Sequence, residues 1–171
     1  MLIADITAQD TGGQSFKLSR AINEYTTHTS RSFCGTPDYL AFNADITHDT
    51  DIATITEILS RADIIHCHNM YRYANGWAPI NPDAKWIIHQ HGRPGANIVW
   101  KEWEEADKER GATRFVSTIN LLKYVNNNPE RWIPAPIRLR EFDDLKNAYV
   151  KTDKVIICQT PTNPEYKKPT S

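Results

Sequence analysis

Short apolar runs alternate with amphipathic segments along most of this chain. The apolar runs predict strands at residues 2–6, 31–34, 39–42, 64–68, 85–89, 114–117, 130–133 and 155–158. Apolar residues spaced three and four apart predict helices over residues 15–25, 51–62, 99–110 and 120–125, and Gly111 is expected to end the third of them. Strands that alternate with helices are typical of a parallel sheet, so the sequence predicts an α/β fold with helices on both faces of the sheet.

The first predicted strand leads through Gly12 and Gly13 into the first predicted helix, for which Ser15 is the expected N-cap. A strand, a glycine turn and a helix form the opening of a Rossmann-like unit. The spacing is not GxGxxG, so the dinucleotide-binding fingerprint is excluded. Such a turn exposes backbone N–H groups at the positive end of a helix, which favours a phosphate, although a plain turn would need the same glycines.

Two predicted strands end in pairs of histidines. Residues 62–68 read ADIIHCH, and residues 85–95 read KWIIHQHGRPG. Histidines two positions apart share one face of a strand, and ligands bind at the carboxyl ends of strands in open α/β sheets. Three interpretations of the four histidines therefore stay open: one wall of an active site, a metal site, or packed imidazoles.

A metal site is the less favoured of these interpretations. Imidazole clusters bind zinc, but such sites usually include a carboxylate or a third segment, and no histidine follows His91. We therefore expect no metal, a hydrogen-bonded supporting role for His66, and packing of His89 under the adjoining loop. Arg93 lies between two glycines, and two interpretations of its side chain stay open: it binds an anionic ligand, or it is solvated in a loop.

Net charge, apolar runs, cysteine spacing and missing motifs each argue against a class of protein. The net charge of −1 over 171 residues gives no general attraction to nucleic acid or to anionic membranes. No apolar run approaches the roughly 18 residues of a membrane span. Three widely spaced cysteines without a Cys-x-x-Cys pair favour reduced thiols and a cytoplasmic location. No nucleophile elbow and no P-loop is present.

Taken in their order, these motifs resemble the N-terminal half of a GT-B glycosyltransferase, closest to the large retaining family of group 1 sugar transferases. The resemblance covers the first strand with Gly12, Gly13 and Gln14, and then the ADIIHCH and KWIIHQHG strands. It continues through Val116-Ser-Thr and the WIPAP sequence at 132–136. The segment KVIICQTPTN at 154–163 is similar to the first strand of the donor-binding domain in that family.

The resemblance implies an enzyme that transfers a sugar from a nucleotide-sugar donor to a hydroxyl acceptor, typically without a metal ion. It implies that the donor phosphates contact Gly12, Gly13 and Gln14, and that His91 is the catalytic candidate. The residues that it implies as lining the cleft or contacting the acceptor are His68, Asn69, Gly92, Arg93 and Thr118.

The resemblance also implies a domain division. Residues 1–145 would form the Rossmann-like acceptor domain, and residues 146–171 a linker and the first strand of a donor-binding domain. The basic pair and the paired glutamates with which the family binds its donor have no positions in this sequence, so we expect a half enzyme without transferase activity on its own. Two alternatives remain: a non-catalytic module that pairs with a separate C-terminal domain or as a homo-oligomer, and a small histidine-rich metal-dependent hydrolase.

Overall fold

The computed structural model describes residues 1–9, 13–36, 44–47, 52–69, 80–92 and 100–134. The chain divides into two compact units, Met1–Arg138 and Leu139–Ser171. The second unit lies outside the described residues. The predicted boundary between residues 145 and 146 and the predicted strands at 39–42 and 155–158 lie outside them too.

Strands and helices alternate through the described part of the first unit. Its strands are β1 (Leu2–Gln9), β2 (Thr29–Thr36), β3 (Ile46–Thr47), β4 (Ile64–His68), β5 (Lys85–Gln90) and β6 (Thr113–Val116). Its α-helices are α1 (Gln14–Tyr25), α2 (Ile52–Arg61) and α3 (Trp100–Glu109). Two 3-10 helices follow β6, at Ile119–Val125 and Pro129–Arg131.

The strands form one sheet in the order β3-β2-β1-β4-β5-β6, and every neighbouring pair is parallel. The chain leaves β1 toward β2 on one side and later returns to β4 on the other side. The sheet therefore has a topological switch point between β1 and β4, which is where ligands bind in doubly wound folds. The predicted α/β fold with a Rossmann-like parallel sheet is confirmed.

The helices cover both faces of the sheet, as predicted. The connections from β1 to β2 and from β3 to β4 run in opposite directions across the sheet. Because such crossovers are right-handed, α1 and α2 pack on opposite faces. Ile55 and Leu59 of α2 belong to an apolar core with Ile6, Ile65 and Ile88. Among the described residues, no helix is long and apolar enough to cross a membrane.

Two predictions about helix ends have different outcomes. Helix α1 begins at Gln14 with Gly13 as its N-cap, so the prediction that Ser15 caps it is wrong, and Ser15 is buried inside the helix. Gly13 has a φ of 67°, in the left-handed region that glycine adopts without strain. The prediction that Gly111 ends α3 is confirmed: its φ is 62°, and the N–H of Ala112 donates to the carbonyl of Asp107 at 2.8 Å.

The region after β6 also differs from the prediction. Residues 130–133 form no full strand, because Pro129 starts a 3-10 helix whose first turn is capped by the Asn128 side chain, which accepts from the N–H of Glu130 at 2.9 Å. Only an isolated bridge between Val116 and Trp132 extends the sheet here. The helix predicted at 120–125 is present as a 3-10 helix, and the short strand β3 was not predicted.

Candidate functional site

Strands β1, β4 and β5 bring a buried carboxylate together with a group of histidines. Asp5 is fully buried, and His66, His68 and His89 are 7%, 2% and 1% exposed. In the register of the sheet, Asp5 is paired with His66 and His68 is paired with His89. Paired residues of parallel strands point to the same face, so these side chains meet on one face. We call Asp5, His66, His68, His89 and His91 the Asp–His cluster.

Asp5 holds the two histidines of β4. Its Oδ1 lies 2.9 Å from Nδ1 of His66 and 3.3 Å from Nε2 of His68. Its other carboxylate oxygen accepts a hydrogen bond from the hydroxyl of Ser30. Burial raises the pKa of Asp5, but its hydrogen bonds and its electrostatic attraction to His66 and His68 outweigh burial and hold the pKa well below its usual value. Asp5 is therefore an ionised acceptor for both rings.

The other ring nitrogens of the cluster have different partners. Nδ1 of His68 lies 2.6 Å from Nε2 of His91. Nε2 of His89 donates to the carbonyl oxygen of Ile133 at 3.1 Å. Within the part of the chain that the structure describes, the buried atoms Nε2 of His66 and Nδ1 of His91 have no hydrogen-bond partner. His66 therefore has the expected hydrogen bond at Nδ1 but not at Nε2.

The rings of His89 and His91 pack closely against the other rings of the cluster and stay neutral near pH 7. Burial, followed by repulsion from neighbouring imidazoles, lowers the pKa of His89 to about 3 and lowers that of His91 as well. The rings of His68 and His91 stack with centroids 4.9 Å apart and planes 8° from parallel. A neutral imidazole has one N–H and one lone pair, so His89 and His91 each keep a nitrogen that can bind a cation or accept a hydrogen bond.

Asn69 joins the ends of β4 and β5 at the carboxyl edge of the sheet. Its backbone is left-handed, with a φ of 57°, a conformation that asparagine adopts more readily than most residues. Its N–H donates to the carbonyl of His89 at 3.1 Å, and its side-chain oxygen accepts from the N–H of His91 at 2.8 Å. These two hydrogen bonds fix the backbone of His91 beside the end of β4.

The structure brings several of the predicted site residues to this edge. His68, Asn69, His91 and Gly92 follow one another around the ends of β4 and β5. Gly92 is exposed, and its carbonyl accepts from the side-chain amide of Gln90 at 2.7 Å. These four residues lie at one sheet edge, and their expected role in lining a cleft stays a prediction.

Other predicted site residues have separate locations. Gly13 and Gln14 begin α1, after the carboxyl end of β1, and Oε1 of Gln14 is buried without a hydrogen-bond partner among the described residues. Thr118 is exposed beyond the end of β6, and its side chain does not cap the 3-10 helix that follows. Gly12 and Arg93 lie outside the described residues.

Asp5 is the cluster residue that the sequence analysis missed. Residues 2–6 were read as one apolar run, although polar Asp5 and Thr7 alternate with apolar Ala4, Ile6 and Ala8. That alternation is the signal of a strand with one polar face. The argument against a metal site was the lack of a carboxylate or third segment near the histidines, and β1 supplies both.

Two cavities of the described region lie away from the cluster. One of about 380 Å³ lies between α3, β6 and the 3-10 helices, where Arg114 donates to both carboxylate oxygens of Asp107 at 2.7 and 3.0 Å. The other, of about 440 Å³, lies at the amino ends of β1, β4 and β5. No described histidine lines either cavity, so neither cavity is part of the Asp–His cluster.

Comparisons with known proteins assign no family to this chain. No protein-family model matches it, and no curated protein matches it significantly. Among solved structures, the "Crystal structure of CapF with inhibitor 3-isopropenyl-tropolone" is similar over 68% of this chain, with 18% sequence identity and a TM-score of 0.46. This chain spans 30% of the length of that protein. A similarity at this level indicates neither a family nor an activity.

Proposed function

We propose that this chain forms the acceptor-side half of a glycosyltransferase that uses a nucleotide-sugar donor. The sequence resemblance suggests this class of enzyme. The observation that carries the proposal is the meeting, at the switch-point edge of the sheet, of the turn into α1 with the polar ends of β4 and β5. This edge combines a helix start that favours phosphate with groups that can hydrogen-bond a sugar.

The start of α1 would face the donor. Gly13 caps the start of α1, and the first N–H groups and the positive dipole end of that helix favour a phosphate. The first turn contains no acidic side chain that would repel an anion. A diphosphate beside Gly13 would therefore meet a favourable electrostatic potential without a metal ion.

The ends of β4 and β5 would face the sugar. His91 is partly exposed, and Asn69 fixes its backbone while His68 contacts its ring. Its Nδ1 has no hydrogen-bond partner among the described residues. This Nδ1 is buried, so a hydroxyl group would hydrogen-bond it only after the residues that cover it move; with that movement, His91 is the residue that we propose contacts the acceptor or the transferred sugar.

Ligand-observed saturation-transfer NMR tests this proposal. Wild-type chain is mixed with nucleoside diphosphate sugars, the matching nucleoside diphosphates and the free sugars. We expect transfer to sugar protons, strongly reduced in His91→Phe, which keeps a ring but removes both nitrogens. His28→Phe is the matched control, because His28 lies outside the cluster, just before β2.

Two results would contradict the proposal. In the first, no sugar and no nucleotide sugar receives saturation from the wild-type chain. The other is equal transfer in wild type and His91→Phe. A donor-hydrolysis assay checks the half-enzyme expectation separately: we expect no turnover by this chain alone, and clear turnover would refute that expectation.

A further inference from the structure

The hydrogen bonds of the Asp–His cluster determine which ring nitrogens carry protons. Nδ1 of His66 and Nε2 of His68 face the ionised Asp5, and Nε2 of His89 faces the carbonyl of Ile133. A carboxylate and a carbonyl can only accept, so each of these three nitrogens carries the hydrogen. A neutral ring with its hydrogen on one of these nitrogens carries a lone pair on the other nitrogen, which is Nε2 in His66 and Nδ1 in His68 and His89.

The three histidines also present ligand atoms close to one another. One ring nitrogen from each of His66, His68 and His89 lies within 4.8 Å of the others. In a tetrahedral zinc site with Zn–N distances of about 2.0–2.1 Å, ligand nitrogens are separated by about 3.4 Å. Small ring rotations would close the difference, because all three rings project from the same face of two neighbouring strands.

From this geometry we propose that His66, His68 and His89 bind a divalent transition-metal ion, with zinc as the preferred ion. Asp5 is not a ligand in this site. It orients His66 and His68 through their N–H groups, as the carbonyl of Ile133 orients His89. Carboxylates and carbonyls that hold the far nitrogen of a metal-binding histidine are the usual outer partners of such sites.

A fourth ligand position lies on the side of His91. Nε2 of His91 is 2.6 Å from Nδ1 of His68, in hydrogen-bond contact with it, so this nitrogen lies beside the ligand atom of His68 and the two rings would have to separate to share one ion. His91 can offer Nε2 to the ion if its proton moves to Nδ1, which has no partner among the described residues. Water can occupy the position otherwise.

The opposite face supplies no competing ligand from β4. Cys67 lies between His66 and His68 in sequence and therefore points to the other face, into the apolar core. We therefore expect the ligands of the metal ion to be histidine nitrogens alone, or histidine nitrogens and water.

Packed imidazoles without a metal ion explain the cluster less well. Nε2 of His66 is a buried acceptor without a partner in the described part of the chain, and such atoms are unfavourable. Apolar side chains would fill the same space without that cost. The metal site does not depend on sugar transfer: zinc can bind in a chain that binds no sugar, and sugars can bind in a chain that binds no zinc.

Zinc titration of the tag-free, chelator-treated chain tests the inference. We expect one Zn²⁺ per chain by calorimetry, and a visible ligand-field spectrum of four- or five-coordinate geometry with Co²⁺. Loss of a ligand in His66→Leu or His89→Leu should weaken binding at least about 100-fold, and Asp5→Asn about 10- to 100-fold. His28→Leu is the matched control and should leave binding unchanged.

A second readout needs no substitution in the core. Histidine ring ¹⁵N shifts of the wild-type chain should change on zinc addition for His66, His68 and His89, and stay constant for His28. The inference is overturned if wild type binds no stoichiometric zinc, if binding survives both leucine substitutions, or if the cluster rings do not respond.

Discussion

The two faces of this sheet have opposite chemistry on alternate residues of the same strands. On β4, Ile65 and Cys67 enter the apolar core beside α2, whereas His66 and His68 join Asp5 on the other face. Parallel strands buried on both faces usually read as continuous apolar runs. One face of this sheet therefore stabilises the fold by apolar burial, and the other holds polar groups that each need a specific partner.

The largest effect on stability should come from removing Asp5, the carboxylate to which the polar face of the sheet is hydrogen-bonded. Asp5→Leu keeps the branched shape of the side chain but removes the acceptor of His66, His68 and Ser30, so three buried donors lose their partner. We expect a loss of about 3–5 kcal/mol in the free energy of unfolding, measured by urea denaturation without added metal. Asp83→Leu, at an exposed position, should change it by less than about 0.5 kcal/mol. A loss below about 1 kcal/mol in Asp5→Leu would show that the polar face is not organised around this carboxylate.

The apolar face should respond to lost volume. Leu59 of α2 is fully buried in the core, so Leu59→Ala should cost about 2–5 kcal/mol by the same measurement. Ile52 of the same helix is 57% exposed, and Ile52→Ala is the matched control with an expected cost well under 1 kcal/mol. Equal costs for the two substitutions would contradict the packing of α2 described above.

A smaller effect should follow from crowding β1 against β2. A Cβ added at Gly35 would lie 2.9 Å from the carbonyl oxygen and 3.3 Å from the Cα of Ala8, so the two strands would have to shift. Gly35→Ala should therefore destabilise the chain by about 1–3 kcal/mol. A Cβ at Gly92 meets nothing within 4 Å, and Gly92→Ala should be nearly neutral. Thermal unfolding of the two variants gives the comparison, and a neutral Gly35→Ala would mean that β1 and β2 are packed less closely than described.

Most of the sheet follows from local patterns, because apolar runs and helical spacing are visible in any short window. The predicted helix at 99–110 agrees with α3 at Trp100–Glu109, and the strand at 64–68 agrees with β4. Predictions are less accurate where two residues compete for one role, such as the cap of a helix, or where a proline changes the local backbone conformation. Gly13 replaces Ser15 as the cap of α1 because a left-handed backbone ends the turn there, and Pro129 turns the expected strand into a 3-10 helix.

The candidate site was predictable only in part. The pairing of His66 with His68 and of His89 with His91 follows from the two-residue period of a strand, and the approach of both pairs follows from the order of motifs. Asp5 was missed because the run around it is short and its alternation was read as apolar. The interpretation of the histidines depends on Asp5, since it turns a group of rings into a cluster with defined proton positions.

The positions of most strands and helices, and the strand face shared by each pair of histidines, follow from the amino-acid sequence alone, because they depend on backbone periods of two and of about 3.6 residues. The pairing of β1 with β4 is visible only in the folded chain, where it places Asp5 against His66 and His68 across about sixty positions of sequence. Strand order in a parallel sheet depends on crossovers and on burial of both faces, which no local pattern encodes. The carboxylate that gives the histidines their chemistry is therefore a product of the fold.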